Sequence, residues 1–591
     1  MYASLSEHYC PPGYLIPFPD RFYLFQVKNR PVGHSRIRGY DGTGGPKCEN
    51  LLEMGIKIMN QTKLKKIRVT AALVFLALST LLFVDFEQIG ETPAATVALY
   101  PQFVPSLLQF SKILAGTATG FLAVFILTLL AGRVYCSTIC PLGTLQDLVI
   151  HLADRLGKPR KIKFRYQKPH DVLRYGLLAL TAGLFLSGSA LALTLLDPFS
   201  NFGRIAGDLL RPLYVAAHNG IGQGLEILGV NGPFPLHWQA PPLATLIFPA
   251  LFLIGLVWLS AVKGRWFCNT LCPVGALLGL VARFALFKIR IPADACILCA
   301  QCSIHCKAGC IRLKTKEVDF SRCVACFNCI TVCEAHGIGY VRSAPFKFHP
   351  APPALPAPRP SGEKGISRRT VLRATTTALI GLAGLAGPTT GDAKPHNRVP
   401  TTLANHKTWP VAPPGAGDIA RFNQLCTACH LCVSACPYGV LQPALLNYGL
   451  SGLLQPHLDY ASGYCGYECN RCGQICPTGA IRPLELPVKQ TVQLGIARFV
   501  RENCIVYTDH TACGACDEYC PTKAVHLIPY QHGLSIPEVR ETLCVGCGAC
   551  ENACPARPYR AIYVDGHPAH QLAQRPIAKP LEIKEQTGFP F

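Results

Sequence analysis

Twenty-four of the 31 cysteines in this 591-residue chain fall into six runs of four. Four runs share the spacing C-x2-C-x2-C-x3-C. They are Cys296, Cys299, Cys302 and Cys306; Cys323, Cys326, Cys329 and Cys333; Cys426, Cys429, Cys432 and Cys436; and Cys544, Cys547, Cys550 and Cys554. Two runs are variants. Cys465, Cys469, Cys472 and Cys476 open with three intervening residues, and Cys504, Cys513, Cys516 and Cys520 open with eight. Such density constrains the fold more than any hydrophobic pattern, because the thiols of a run must converge. A disulfide scaffold is normally short, secreted and more evenly spaced. Zinc usually takes two cysteine knuckles a dozen or more residues apart. Three close thiolates around one face of a cubane, with a fourth after a turn, is the ligation of a [4Fe–4S] cluster. The expectation is six [4Fe–4S] clusters with these cysteines as iron ligands. Proline follows the fourth cysteine in the last four runs (Pro437, Pro477, Pro521, Pro555), whereas Lys307 and Glu334 take that place in the first two. Cys310 is an extra thiol near Cys306, more readily a buried side chain than a substitute ligand. Cys10 and Cys48 have no partner in the pattern.

Four more cysteines form a second pattern. "GRVYCSTICPLG" at 132–143 and "GRWFCNTLCPVG" at 264–275 each follow an apolar run. On a helix, residues four apart share a face, so Cys136 can point with Cys140 and Cys268 with Cys272. Pro141 and Pro273 push the cysteine before them out of helical geometry. Arg133 and Arg265 favour thiolates by their charge. The two copies read as an internal repeat, and the four thiols as a candidate seventh redox site, either a metal cluster or a dithiol pair. The plainer alternative is that each pair caps a helix.

Apolar segments at 67–84, 113–132, 175–196 and 242–262 are each near the length that spans a bilayer as a helix. The loops between them differ in charge. Residues 85–112 hold one Lys or Arg, 133–174 hold nine, and 197–241 hold two. The positive-inside rule then places the first and third loops outside and the second inside, with both C-x3-C-P copies on the cytoplasmic rim. A proline-rich linker follows at 343–366. Residues 367–390 carry Arg368 and Arg369 before a mildly apolar run, as in a twin-arginine export signal, and read as a fifth crossing. The expected organisation is an N-terminal extension at 1–62, irregular or preceding a true start at Met54 or Met59; a four-helix membrane domain at 63–290; and a cytoplasmic two-cluster unit at 291–342. After the linker and crossing come a second linker at 391–419 and a periplasmic four-cluster unit at 420–591. The fold class is a multi-domain membrane protein: an α-helical transmembrane bundle of four helices plus a fifth crossing, with two α+β ferredoxin-like polyferredoxin units.

Half the residues are apolar and 15% are charged. The formal charge of +22 overstates the basicity, since six clusters of net charge −2 would bring it to about +10. The basic residues are not interleaved with a stacking platform, which argues against nucleic acid. No histidine lies in the four apolar segments, which argues against a bis-histidine haem there. "GIGQG" at 220–224 follows no strand and reads as a loop.

Together these motifs resemble two protein families. Residues 63–342 are similar to the NapH/NosR-type membrane iron–sulfur proteins, with four helices, two C-x3-C-P motifs and a two-cluster ferredoxin unit. Residues 367–560 resemble the NapG-type periplasmic subunits, with a twin-arginine signal and four cluster motifs. The resemblance implies a bacterial inner-membrane protein that takes electrons from the quinone pool, with quinol as substrate. It would pass them through the clusters to a periplasmic reductase of the nitrate-reductase type or to a cytochrome. It also implies crossed ligation. Cys333 would complete the set of Cys296, Cys299 and Cys302, and Cys306 that of Cys323, Cys326 and Cys329. In the second unit Cys554 would join Cys426, Cys429 and Cys432, Cys520 would join Cys465, Cys469 and Cys472, and Cys436 and Cys476 would be the reciprocal fourth ligands. The competing functional reading is an electron-donating assembly or maintenance factor for a metalloenzyme, without quinol turnover.

Overall fold

The structure is a computed structural model. It describes residues 48–575 except 86–89, 91, 111–118, 157–163, 165, 230–234, 237–242, 293–295, 334–336 and 343–402, with side chains from residue 63 onward. The twin-arginine segment, the proline-rich linker and Cys10 lie outside the described residues. Helix begins earlier than the sequence reading placed it. The first helix runs Cys48–Val84, where Leu51, Leu52, Glu53, Met54, Lys57, Met59 and Gln61 are good helix formers.

Two helical segments are long and apolar enough to cross a membrane, Lys63–Val84 and Leu243–Lys263. These are the two such helices among the described residues, and the four-helix bundle with a fifth crossing stays an expectation. Of 113–132, the described helix is Gly120–Ala131, 12 residues, which at about 1.5 Å per residue reaches well short of roughly 30 Å of hydrocarbon. The segment 175–196 breaks into Asp171–Leu186 and Leu191–Leu196, where Gly188 takes a left-handed φ of 91°. These helices nevertheless turn apolar side chains outward. Leu73, Ile126, Leu180, Leu251 and Ile254 are each more than half exposed.

The cysteine-rich units are α+β, built from two-stranded antiparallel sheets. In the first, Phe287–Arg290 pairs with Gly339–Arg342, and Ile311–Arg312 with Glu317–Val318. In the second, Leu441–Pro443 pairs with Pro456–Leu458, Val525–Pro529 with Ser535–Val539, and Val492–Phe499 with Ile562–Leu572.

The two units pack at opposite ends of the helix Lys63–Val84. Near its start, Lys65 Nζ donates to Thr331 Oγ1 of the first unit at 3.2 Å. Near its end, Phe83 packs on Phe199 and Phe202, and Gly203 beside them lies against the backbone of Cys429 in the second unit. The seat of the second unit is the segment 197–227, read from sequence as loop. It folds as Pro198–Arg204, a π-helical turn at Ile205–Leu210, and Arg211–Ile227, which contains "GIGQG". Asp197 caps the first of these helices, accepting from Ser200 N at 2.8 Å. Arg204 Nη1 donates to Ala428 O at 3.2 Å. Asp208 pairs with His430 Nδ1 at 2.8 Å, and both side chains are buried. His430 Nε2 meets a second acceptor, Leu454 O, at 2.9 Å.

Candidate iron–sulfur sites

The regular spacing sets a regular backbone. In each C-x2-C-x2-C run, the residues on either side of the middle cysteine take left-handed φ: Leu298 and Ala300, Ala325 and Phe327, Ala428 and His430, Gly546 and Gly548. Left-handed turns of this kind aim successive amides at one point, forming an anion cradle. The amides reach the sulfurs. Ala428 N donates to Cys426, Leu431 N to Cys429, Asn328 N to Cys326 and Ala549 N to Cys547. Three of the four runs hold this geometry without glycine, at a cost of order 1 kcal/mol or more per residue. That strain suits a centre where several N–H groups stabilise thiolates.

In the first unit Cys296, Cys299, Cys302 and Cys333 line one cavity. Cys323, Cys326 and Cys329 line another together with Cys306 and Cys310. This is the crossed arrangement that the resemblance implied. Cys310 is closer to the site than its sequence suggested, with its sulfur 3.6 Å from that of Cys306.

In the second unit the fourth ligands differ from the expectation. Cys426, Cys429 and Cys432 are joined by Cys476, not Cys554. Cys465, Cys469 and Cys472 are joined by Cys436, not Cys520. Cys554 instead lies with Cys504, Cys513 and Cys516, and Cys520 with Cys544, Cys547 and Cys550. Runs adjacent in sequence exchange ligands because they fold against each other. The hairpin Leu441–Pro443/Pro456–Leu458 lies between the first two runs and the hairpin Val525–Pro529/Ser535–Val539 between the last two. The halves meet where Cys465 N donates to Cys547 O at 2.9 Å. The four quartets therefore form a file, ordered by the Cys429, Cys465, Cys547 and Cys513 sets.

Among the described residues, no three His, Cys, Asp or Glu side chains close around a point as a single ion requires. The tight C-x2-C-x2-C spacing and the left-handed turns that form its amide cradle fit the thiolates of a cubane. Burial pushes the Cys429, Cys516 and Cys547 thiols up to about 12, and those of Cys302 and Cys465 up to about 11. Empty sites are therefore protonated at neutral pH, and iron must displace those protons.

The C-x3-C-P cysteines converge, but not from one face of a long helix. Each apolar helix stops at a left-handed glycine, Gly132 or Gly264. The first cysteine sits in a short helix, Tyr135–Thr138 or Trp266–Thr270. The second stands before the proline that opens the next helix, Pro141–Leu156 or Pro273–Ala282. Cys272 is extended there, and its sulfur accepts from Gly275 N at 3.3 Å. All four thiols are buried, and each pair lies within electrostatic reach of the other. The copies clasp each other reciprocally. Arg133 donates to Cys268 O at 3.1 Å, and Arg265 to Cys136 O at 2.6 Å. Gly143 and Gly275 make room for this, since a Cβ at either would collide with that carbonyl and that guanidinium.

Sequence reasoning named Arg133 and Arg265 but missed Asp147 and Arg174 around this clasp. Asp147 is buried against Arg265 at 2.9 Å, Arg68 at 3.1 Å and Lys307 at 3.3 Å. Burial pushes its carboxyl up, and Arg265, Lys307 and Arg68 pull it well below the ordinary range. Arg174 is buried and donates to Ser321 O at 2.8 Å. Each is a lone charge in sequence, and only the docking of the first unit explains it.

A 4Fe-4S binding domain model matches residues 115–159 and 245–292, the two C-x3-C-P segments. 4Fe-4S dicluster domain models match 425–481 and 510–557, the same two halves that exchange ligands. The methylamine utilization ferredoxin-type protein MauM of Paracoccus denitrificans is 30% identical over 32% of this chain and 83% of its own length. The chain belongs to the ferredoxin-type 4Fe-4S proteins. It is thus an iron–sulfur electron-transfer protein with several [4Fe–4S] sites. The ferredoxin-type protein NapG of Escherichia coli is 33% identical over 23% of this chain and 62% of its own. The putative electron transport protein YccM of the same organism is 27% identical over 38% of this chain and 55% of its own. The chain therefore spans little more than half of YccM. No solved structure matches it.

Proposed function

We propose that this ferredoxin-type protein is a membrane-bound conduit that carries electrons from quinol to an acceptor outside the cytoplasmic membrane, through six [4Fe–4S] clusters. The observation that carries this reading is the order of the thiol quartets: two in the first unit and a file of four in the second, with the units at opposite ends of the helix Lys63–Val84. The 24 cysteines named above are the iron ligands, grouped as the structure groups them. When bound, the clusters supply one-electron chemistry, and the chain fixes their spacing and polarity.

The membrane assignment is supported by the outward apolar side chains, by the charge difference between the loops, and by the twin-arginine pattern before the second unit. In this reading the first unit faces the cytoplasm and the second the periplasm. Supply of electrons to a periplasmic reductase of the nitrate-reductase type is in keeping with the likeness to NapG. The likeness to the methylamine utilization protein MauM allows an acceptor in methylamine utilization instead. The test is anaerobic: membranes containing the full chain are mixed with a reduced quinol analogue, and the cluster spectra are followed. Reduction by quinol supports the proposal. Clusters that load fully but reduce only with a partner metalloprotein would support the maturation factor.

A further inference from the structure

Resting on the cluster reading above, we infer that Cys136, Cys140, Cys268 and Cys272 hold a seventh iron–sulfur cluster, and that this cluster joins the first unit to the second. Three independent observations meet here. The first is charge. Arg133 is fully buried, and its hydrogen bonds go to Asn269 Oδ1, to Ser321 O and Cys268 O, and to Cys136 Sγ. None of these is a carboxylate. Arg174, also buried, donates to Ser321 O, Ser321 Oγ and Gly275 O. Asp319 and Asp171 lie within electrostatic reach of Arg174, Arg133 is faced instead by the thiols of Cys136, Cys268 and Cys272, and the buried Asp147 is already faced by three cations. Buried cations without a counter-charge are strongly unfavourable. Four thiolates around a core of charge 2+ would leave about −2, which would offset the Arg133 guanidinium.

The second observation is an orphaned donor. Gln146 is fully buried, and its Nε2 has no partner among the described residues, while its Oε1 faces Cys268 Sγ at 3.3 Å. A half-turn of the amide gives Nε2 that sulfur as its acceptor. The exchange is favourable only if Cys268 is a thiolate, as a ligand would be.

The third is position. On one side, Asp147 and Lys307 face both the clasp and Cys326 of the first unit. On the other, Tyr135 lies between Cys140 and Asp197. Asp197 and Arg204 in turn face Cys429. The four thiols are therefore the sulfur-bearing group between the Cys326 quartet and the Cys429 quartet. A group held by these four cysteines would supply one-electron chemistry between the two units. A [2Fe–2S] and a [4Fe–4S] core are both held by four cysteines with the same net charge, and the iron count distinguishes them.

The experiment compares purified full-length chain with Cys136, Cys140, Cys268 and Cys272 all replaced by Ser, and with Arg133→Gln. The expected result is a loss of about two or four iron per chain, which decides the core type. In the reduced protein, the paramagnetic signals of the neighbouring Cys326 and Cys429 clusters should also narrow, because their shared magnetic neighbour is gone. Arg133→Gln should keep the iron and lower the midpoint potential of one centre, since a positive charge beside an anionic core favours its reduction. Unchanged iron in the quadruple variant, zinc at the site, or iron loss with neither neighbour's signal altered would overturn the inference. Cys429→Ser serves as control: if it too leaves the iron unchanged, the six-cluster reading itself has failed.

Discussion

Asp147→Asn should loosen the joint between the helical domain and the first cluster unit. The carboxylate lies 2.9 Å from Arg265, 3.1 Å from Arg68 and 3.3 Å from Lys307, and all four groups are buried or nearly so. Removing one partner of a buried ion pair costs about 3–5 kcal/mol, because the other charge stays behind uncompensated. Here three cations stay behind, so the upper part of that range is expected. The loss acts locally, on the helix Pro141–Leu156 and on Lys307 of the first unit. At 1.4 kcal/mol per factor of ten, the opening equilibrium of that helix should rise by roughly 1,000- to 4,000-fold. The assay is native-state hydrogen exchange on the full-length protein in detergent, read for amides of that helix. The charge persists far into acid: a depressed carboxylate pKa contributes stability above its unfolded value, lost only as pH falls through the folded one. Wild-type protection should therefore hold through pH 5. An exchange rate within threefold of wild type in Asp147→Asn would refute the argument.

Other outcomes follow from the quartets. Cys476→Ser should remove the same paramagnetic signal as Cys429→Ser, and Cys554→Ser the same as Cys513→Ser; a signal shared by Cys429→Ser and Cys554→Ser would restore the pairing that the structure rejects. Cys306→Ser should cost the cluster of the Cys326 quartet, and Cys310→Ser should leave it loaded, as the iron count of each variant will show. Because burial raises Cys429 and Cys547 to about 12, loading must release protons. Reconstitution of apoprotein should therefore be tighter at pH 8 than at pH 6, and equal affinity at both would contradict the protonated empty site. Asp208→Asn should expose the face around His430 to protease without loss of iron, since the pair joins the second unit to its seat.

That the cysteines of each run converge was legible in the sequence, because cluster chemistry would fix their spacing over a dozen residues. The convergence of Cys136, Cys140, Cys268 and Cys272 was legible for the same reason, a motif repeated with its flanking Gly, Arg and Pro. The fourth-ligand pairing in the second unit was not. Every run offers the same kind of trailing cysteine, and which neighbour it reaches depends on which runs pack together. Hydropathy does not register a left-handed break such as Gly188, which divides the apolar segment 175–196 into two helices. Arg174 and Asp147 gave no local signal at all. Their meaning lies in Ser321 and Lys307, more than 140 residues away in sequence.

The central claim rests on cluster number and kind. The most direct measurement is iron and acid-labile sulfide in anaerobically purified full-length protein, with redox titration by electron paramagnetic resonance. The account predicts at least about 24 iron per chain with matching sulfide, four for each of six quartets, and several distinct one-electron signals. About six metal ions per chain, zinc among them and sulfide absent, would contradict it.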